Sequence, residues 1–257
     1  MNDRENAQRA SAPVLTVDRL AKAFGGIEAG RDVSFAVHAG EMVAVIGPNG
    51  AGKTTLFNLV NGQLAPDRGT ITLLGRRIDG LSSRTIAHAG IGRTFQIAAT
   101  FASMSVRENV QIALAAHAGE QHRVGARATD LHVKEADALL DRVGLAALAD
   151  QGCSTLAYGD AKRIELALAL ANAPKLLLMD EPTAGMPMPA RASLMLLVAD
   201  LVRTEGIAVL FTEHDMDVVF GHANRIIVLD RGRVVTEGAP DAIRADPRVQ
   251  AVYLGTA

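Results

Sequence analysis

Nine consecutive residues, GPNGAGKTT, carry the most specific chemistry in this 257-residue chain. Gly47, Gly52, Lys53 and Thr54 satisfy G-x-x-x-x-G-K-[ST], with Pro48, Asn49, Gly50 and Ala51 between them and Thr55 following. Glycines there let the backbone wrap an anion closely with its N–H groups turned inward, where a Cβ would collide or forbid the dihedrals. Lys53 offers a mobile cation to the β- and γ-phosphates, and the Thr54 hydroxyl a hard oxygen for Mg²⁺. The helix predicted to open there adds the partial positive charge of its N-terminus. The segment therefore predicts a nucleoside triphosphate site. No Lys-x-Asp occurs in the chain, so the guanine-reading element is missing and adenine is the expected base. Phe24, just before Gly25-Gly26, is an aromatic that could stack on it.

Two further segments end apolar runs on polar residues. In KLLLMDE, Asp180 and Glu181 sit where a buried strand leaves the sheet, the edge at which open α/β folds bind ligands. Asp180 is suited to hold Mg²⁺ through its water shell, and Glu181, pointing elsewhere, to act as general base toward an attacking water. VLFTEHDM repeats the arrangement with His214 at the exit, where a neutral imidazole could orient the water or touch the γ-phosphate. Gln96, after GIGRTF, lies where the character of the chain changes, and a glutamine there can reach both Mg²⁺ and the water.

The elements that must position these groups read as a mostly parallel α/β core. Residues 14–20 and 33–37 alternate apolar and polar, which predicts two half-buried strands of a small antiparallel layer. The continuous apolar run 42–46 predicts a strand buried on both faces, directly before the glycine loop. A helix is expected over 54–61 and a strand over 69–74. Strands follow over 175–179, 207–212 and 226–229, with helices over 190–204 and after Asp215. Between the two halves the sequence is rich in alanine, leucine and mixed charge at helical spacing. We expect residues 1–13 to be a disordered tail, 14–97 and 173–257 the α/β core, and 98–172 an inserted helical subdomain, with 119–128 its most flexible loop.

Composition excludes several classes. Lys and Arg total 26 against 28 Asp and Glu, and no dense basic run exists, so nucleic acid is not an expected partner. The single Cys153 can form no internal disulfide, which fits a reducing compartment. The longest apolar stretch, 164–179, is broken by Glu165, Asn172, Pro174 and Lys175, short of the roughly 18 residues a membrane span needs. The polar start lacks a secretory signal, so a cytoplasmic protein is expected.

Taken in order, these motifs resemble the ATP-binding cassette subunits of ABC transporters, from about Val14 to Leu254. The resemblance matches Phe24 to the adenine-stacking loop, residues 47–54 to Walker A, Gln96 to the Q-loop, 176–180 to Walker B and His214 to the switch histidine. It matches Leu156, Ala157, Tyr158, Gly159 and Asp160 to the signature, which contacts ATP held by the other subunit of a head-to-tail dimer. The implied function is ATP hydrolysis in a dimer of this chain with itself or a homologous ATPase, peripheral on the inner face of the membrane, driving permease subunits. The GD of the signature, EHDM and VQAVYLG look like the branched-chain amino acid uptake group, which also serves related small polar and aromatic solutes. A lipopolysaccharide-export ATPase and a soluble non-transport cassette are the alternatives. Two positions depart from the family pattern: Ala157 replaces the usual signature serine, and Pro187 stands where an aspartate is frequent.

Overall fold

The computed structural model describes residues 12–94, 100–120 and 131–254, the last three of these as backbone only. Gln96, residues 1–11 of the N-terminal tail, most of the 119–128 stretch and Gly255 lie outside the described residues. The chain opens with β1 (Leu15–Phe24) and β2 (Ile27–Val37), then β3 (Met42–Ile46), the glycine loop and α1 (Lys53–Val60). β4 (Arg68–Leu73), β5 (Arg76–Arg77), α2 (Ser83–Ala89) and β6 (Ile91–Thr94) follow. Among the described residues α3 (Val106–His117), α4 (Val133–Arg142) and α5 (Tyr158–Leu170) come next, with 3₁₀ turns at Ala146–Leu148 and Cys153–Thr155. Alternation resumes with β7 (Leu176–Asp180), α6 (Met188–Glu205), β8 (Ala208–Thr212), α7 (Met216–His222), β9 (Arg225–Asp230), β10 (Arg233–Gly238), α8 (Pro240–Ala245) and α9 (Pro247–Leu254).

The strands form a four-stranded antiparallel sheet, β2-β1-β4-β5, and a six-stranded sheet, β10-β9-β3-β8-β7-β6. In the larger sheet β9, β3, β8, β7 and β6 are parallel, and β10 closes the edge antiparallel to β9. All five residues of β3 are buried, as the unbroken apolar run requires of a strand covered on both faces. Period-two geometry then divides them. Met42, Ala44 and Ile46 join one core with residues of α3 to α7, while Val43 and Val45 join another with α1 and the antiparallel sheet. The helical stretch thus shares a core with the sheet: Val106, Leu140 and Ile164 belong to the same cluster as Phe211 and Val228. Phe57 of α1, fully buried in the other cluster, is worth roughly 3–5 kcal/mol against alanine.

Several elements run longer than the patterning predicts or escape it. β1 continues to Phe24 through register shifts after Val17, with Arg19 at φ 45°, so its alternation breaks although its pairing does not. β6 is only four residues with a glycine inside, and α2 is seven residues, started by the Ser82 side chain accepting from the Thr85 N–H. α3 starts on a capping box in which Ser105 and Glu108 satisfy each other's N–H groups. Among the described residues no helix is long and apolar enough to cross a membrane.

Candidate functional site

β3 delivers the glycine loop onto the carboxyl edge of the parallel sheet, and two neighbouring elements hold it there. A Cβ on Gly47 would drive into the Leu229 carbonyl at the end of β9, and one on Gly52 into the Ala29 carbonyl of β2. Gly52 also stands at φ 103°, which side-chain-bearing residues rarely adopt, and forms the N-cap of α1. The Gly232 N–H donates to the Ala51 carbonyl at 2.9 Å, and the Ala51 N–H to the Pro48 carbonyl at 3.1 Å. Lys53 folds back over the loop, its Nζ donating to the carbonyls of Gly47 at 2.6 Å and Pro48 at 3.2 Å. Burial pulls the Lys53 ammonium below its ordinary pKa, against the raising influence of Glu181 and Asp180. The lysine and both carboxylates therefore share one electrostatic neighbourhood. Pro48, Asn49, Gly50 and Thr55 complete the loop and the first turn of α1, and Thr54 is exposed to solvent there.

The acidic half is built by strand pairing. β8 lies between β3 and β7, and Asp180 pairs in register with Thr212. The fully buried Thr212 hydroxyl donates to Asp180 Oδ1 at 2.7 Å and accepts from the Glu181 N–H at 3.1 Å. Its carbonyl accepts from the same N–H at 3.1 Å. These bonds fix Glu181 at φ 50°, a left-handed conformation that costs a non-glycine residue on the order of 1 kcal/mol or more. The strain turns Glu181 away from Asp180 and toward His214, whose Nε2 lies 2.9 Å from Glu181 Oε1. With the carboxylate ionised, Nε2 carries the proton and donates. Arg93 at the end of β6 approaches Asp180 Oδ2 at 3.5 Å and donates to Asn58 of α1 at 2.8 Å. Burial works against its charge, and Asp180 works to keep it.

Sequence reasoning missed Thr212, Arg93 and above all Glu213. Glu213 is buried between the two exit loops, where Oε1 accepts from the Thr183 N–H at 2.8 Å and the Thr183 hydroxyl at 2.6 Å. Its Oε2 accepts from the His214 N–H at 3.1 Å. A second tie runs parallel to it: Arg191 donates to the Met186 carbonyl at 2.6 Å and pairs with Asp215, the N-cap of α7.

The remaining predicted residues occupy two separate places. Phe24 is 45% exposed at the tip of the β1–β2 hairpin, with Lys22 Nζ 5.5 Å from its ring centroid. Leu156, Ala157, Tyr158, Gly159 and Asp160 lead into and open α5, with Ala157 as N-cap and no side chain capping the turn. The helix begins one residue before Gly159, and the Asp160 and Ala161 N–H groups both donate to the Ala157 carbonyl at 3.0 Å. A cavity of about 450 Å³ opens among α2, β6, α3 and α5, with Phe101, Leu168 and Glu165 in its lining.

A glycine loop closing a buried parallel strand, with its lysine beside the carboxylates of the next strand but one, defines a P-loop nucleotide hydrolase. The comparisons narrow this class: the ABC transporter family model matches residues 31–184, and that of the branched-chain amino acid ATP-binding cassette transporter matches residues 233–257. The chain belongs to the ABC transporter family, as an ATP-binding cassette whose hydrolysis of ATP is coupled to transport. It is 38% identical to the high-affinity branched-chain amino acid transport ATP-binding protein LivG of Salmonella typhimurium, over 96% of this chain and all of that one. BraF of Pseudomonas aeruginosa, with the same description, is 37% identical at the same coverage of both chains. A lipopolysaccharide export ATP-binding protein, LptB of Acidithiobacillus ferridurans, is 37% identical over 94% of this chain and 97% of its own. Among solved structures, the ADP conformation of an ABC transporter cassette superposes with TM-score 0.84 at 28% identity, covering 96% of this chain and all of the other. A bacterial ABC transporter cassette solved as a dimer gives 0.75 at 26% identity, covering 88% and 98%.

Proposed function

We propose that this chain energises an ABC importer for branched-chain amino acids or a related small polar or aromatic solute, working as a head-to-tail dimer on a membrane permease. The observation that carries the hydrolytic part is the 2.9 Å pairing of Glu181 with His214 beside Lys53 and Asp180. The solute class is supported by the tail match at residues 233–257 and by relatives of that description spanning the whole chain.

In this reading residues 47–55 cradle the phosphates of ATP, Lys53 exchanges its loop carbonyls for phosphate oxygens, and Phe24 stacks on adenine. The glycine loop, whose Gly47 and Gly52 leave no room for a Cβ against the Leu229 and Ala29 carbonyls, and the hard oxygens of Thr54 and Asp180 fit ATP with Mg²⁺, with Gln96 as a further ligand. The metal supplies charge neutralisation at the β- and γ-phosphates. Glu181 takes a proton from the attacking water while His214 fixes the carboxylate and the γ-phosphate end, so ATP and water yield ADP and phosphate. Residues 156–160 cover the partner's ATP, and residues 98–172 form the helical part that carries them. The permease docks around residues 97–104, where Phe101 is 56% exposed beside the α2–α5 cavity. The assembly would lie on the inner face of the cell membrane.

Glu181→Gln tests the core of this reading. It should lower phosphate release by about 10²–10⁴-fold and leave an ATP-bound dimer that persists on size-exclusion chromatography. Unchanged turnover would remove Glu181 from the reaction. The 37% identity to LptB favours a second reading, an export ATPase, and the permease recovered with the chain from solubilised membranes separates the two.

A further inference from the structure

Tyr158 stands in the segment that the head-to-tail reading turns toward the partner's ATP, yet its hydroxyl is engaged within its own chain. It donates to the Ala184 carbonyl at 3.0 Å, in the loop that follows Glu181. The ring is held from two sides. Lys162 Nζ lies 5.7 Å from its centroid, and Gly185 passes so close that an added Cβ would stand 3.4 Å from the hydroxyl and 3.6 Å from ring carbons. A Cβ on the next residue, Gly159, would meet Ala190 at 3.6 Å and Met186 at 3.8 Å. The start of α5 therefore rests on the 184–187 loop and the first turn of α6 through both a hydrogen bond and close packing.

That loop is fastened at its other end to the catalytic pair. Thr183, adjacent to Ala184, donates twice to Glu213; Glu213 accepts from the His214 N–H; and His214 meets Glu181. Arg191, through the Met186 carbonyl and Asp215, holds the same two loops a second time. Pro187 supplies no carboxylate for signalling out of this loop, whereas the Ala184 carbonyl is already taken by Tyr158.

The geometry points to Tyr158 as a positioning residue that couples docking of residues 156–160 on the partner's nucleotide to the Glu181–His214 pair of the same chain. This rests on the head-to-tail reading given above. Each subunit then hydrolyses its own ATP only when its own signature is seated. A plain contact role would act in the opposite direction, on the partner's ATP.

Mixed dimers of two tagged full-length copies, one carrying Glu181→Gln, leave one competent hydrolytic centre and separate these directions. Tyr158→Phe on the chain that keeps Glu181 should slow single-turnover phosphate release about 3–10-fold, the range of one neutral hydrogen bond, at unchanged half-saturating ATP. Tyr158→Phe on the Glu181→Gln chain, whose residues 156–160 face the competent ATP, should slow release by a clearly smaller factor. Equal slowing from both chains, slowing only from the Glu181→Gln chain, or no slowing from either overturns the coupling. A parent mixed dimer that hydrolyses no ATP overturns the inference, since a seated signature would not release hydrolysis in its own chain, while failure of the two copies to pair with ATP overturns the head-to-tail reading itself.

Discussion

The two halves of the site are held by different means. The phosphate loop is fixed by backbone against backbone: Gly47 and Gly52 abut the carbonyls of Leu229 and Ala29, and Gly232 donates to Ala51. The carboxylate half has one such backbone bond, from the Glu181 N–H to the Thr212 carbonyl, and is otherwise fixed by side chains reaching between elements, namely Thr212 to Asp180, Glu213 to Thr183 and Arg191 to Met186. Backbone clearance leaves one rigid arrangement because nothing in it can change rotamer. Side-chain ties can be broken and remade at the cost of a hydrogen bond each, about 0.5–1.5 kcal/mol. The phosphate-loop half is thus preformed, and the carboxylate half, which in the proposed dimer answers to a partner subunit, has freedom to move.

This difference predicts that, among changes to the contacts that hold the site in place, the largest effect comes from closing the clearance. Gly52→Ala places a Cβ against the Ala29 carbonyl at φ 103°, and strain and overpacking of roughly 1–3 kcal/mol each add. ATP affinity should fall on the order of 10²-fold by calorimetric titration, with far-ultraviolet circular dichroism unchanged. Affinity within twofold of the parent would mean that the loop adapts, and the contrast between the halves would vanish.

A smaller and different effect is expected where side chains do the holding. Glu213→Gln keeps one carbonyl oxygen but turns an NH₂ toward either Thr183 or the His214 N–H, setting donor against donor in a buried place. We expect a loss of about 1–3 kcal/mol, seen as a thermal midpoint lower by about 2–4 °C per kcal/mol, and a kcat reduced about 3–10-fold at unchanged KM for ATP. A variant that loses stability alone would reduce Glu213 to a structural role.

The same contrast explains what the sequence revealed. The glycine loop was legible because its function depends on local backbone, and a local motif records it: Met42–Ile46 and α1 emerge where the apolar run and the loop predict them. Asp180, Glu181 and His214 were legible as strand exits, but their grouping depends on the β7–β8 register. Glu213 was not legible. In EHDM it reads as one more polar residue leaving a strand, and only Thr183, thirty positions upstream, makes it a buried acceptor. Arg93 was hidden likewise, since β6 is too short and glycine-bearing to be recognised from alternation. Long-range side-chain ties leave no periodic trace.

The smallest effect should come from ties at the opposite edge of the sheet, remote from the site, and it asks whether side-chain ties matter to catalysis by kind or by place. Arg225 of β9 pairs with Glu41, just before β3, at 2.8 Å and with Glu237 of β10 at 3.1 Å. Burial works to raise the Glu41 pKa, but the Arg225 hydrogen bond and charge and the His38 N–H hold it below its ordinary value of 4.5. A carboxylate with a depressed folded pKa contributes stability that is full above its unfolded value and is lost as pH falls through the folded one. Glu41→Gln should therefore lower the thermal midpoint at pH 7 by about 2–4 °C, for roughly 1 kcal/mol, and the gap to the parent should close as pH is taken below 4.5. Single-turnover phosphate release at pH 7 should stay within twofold of the parent, unlike that of Glu213→Gln. If Glu41→Gln instead slowed hydrolysis as much as Glu213→Gln, the rate would be tracking general stiffness of the sheet, and proximity of the 183–191 ties to Glu181 would not be what matters.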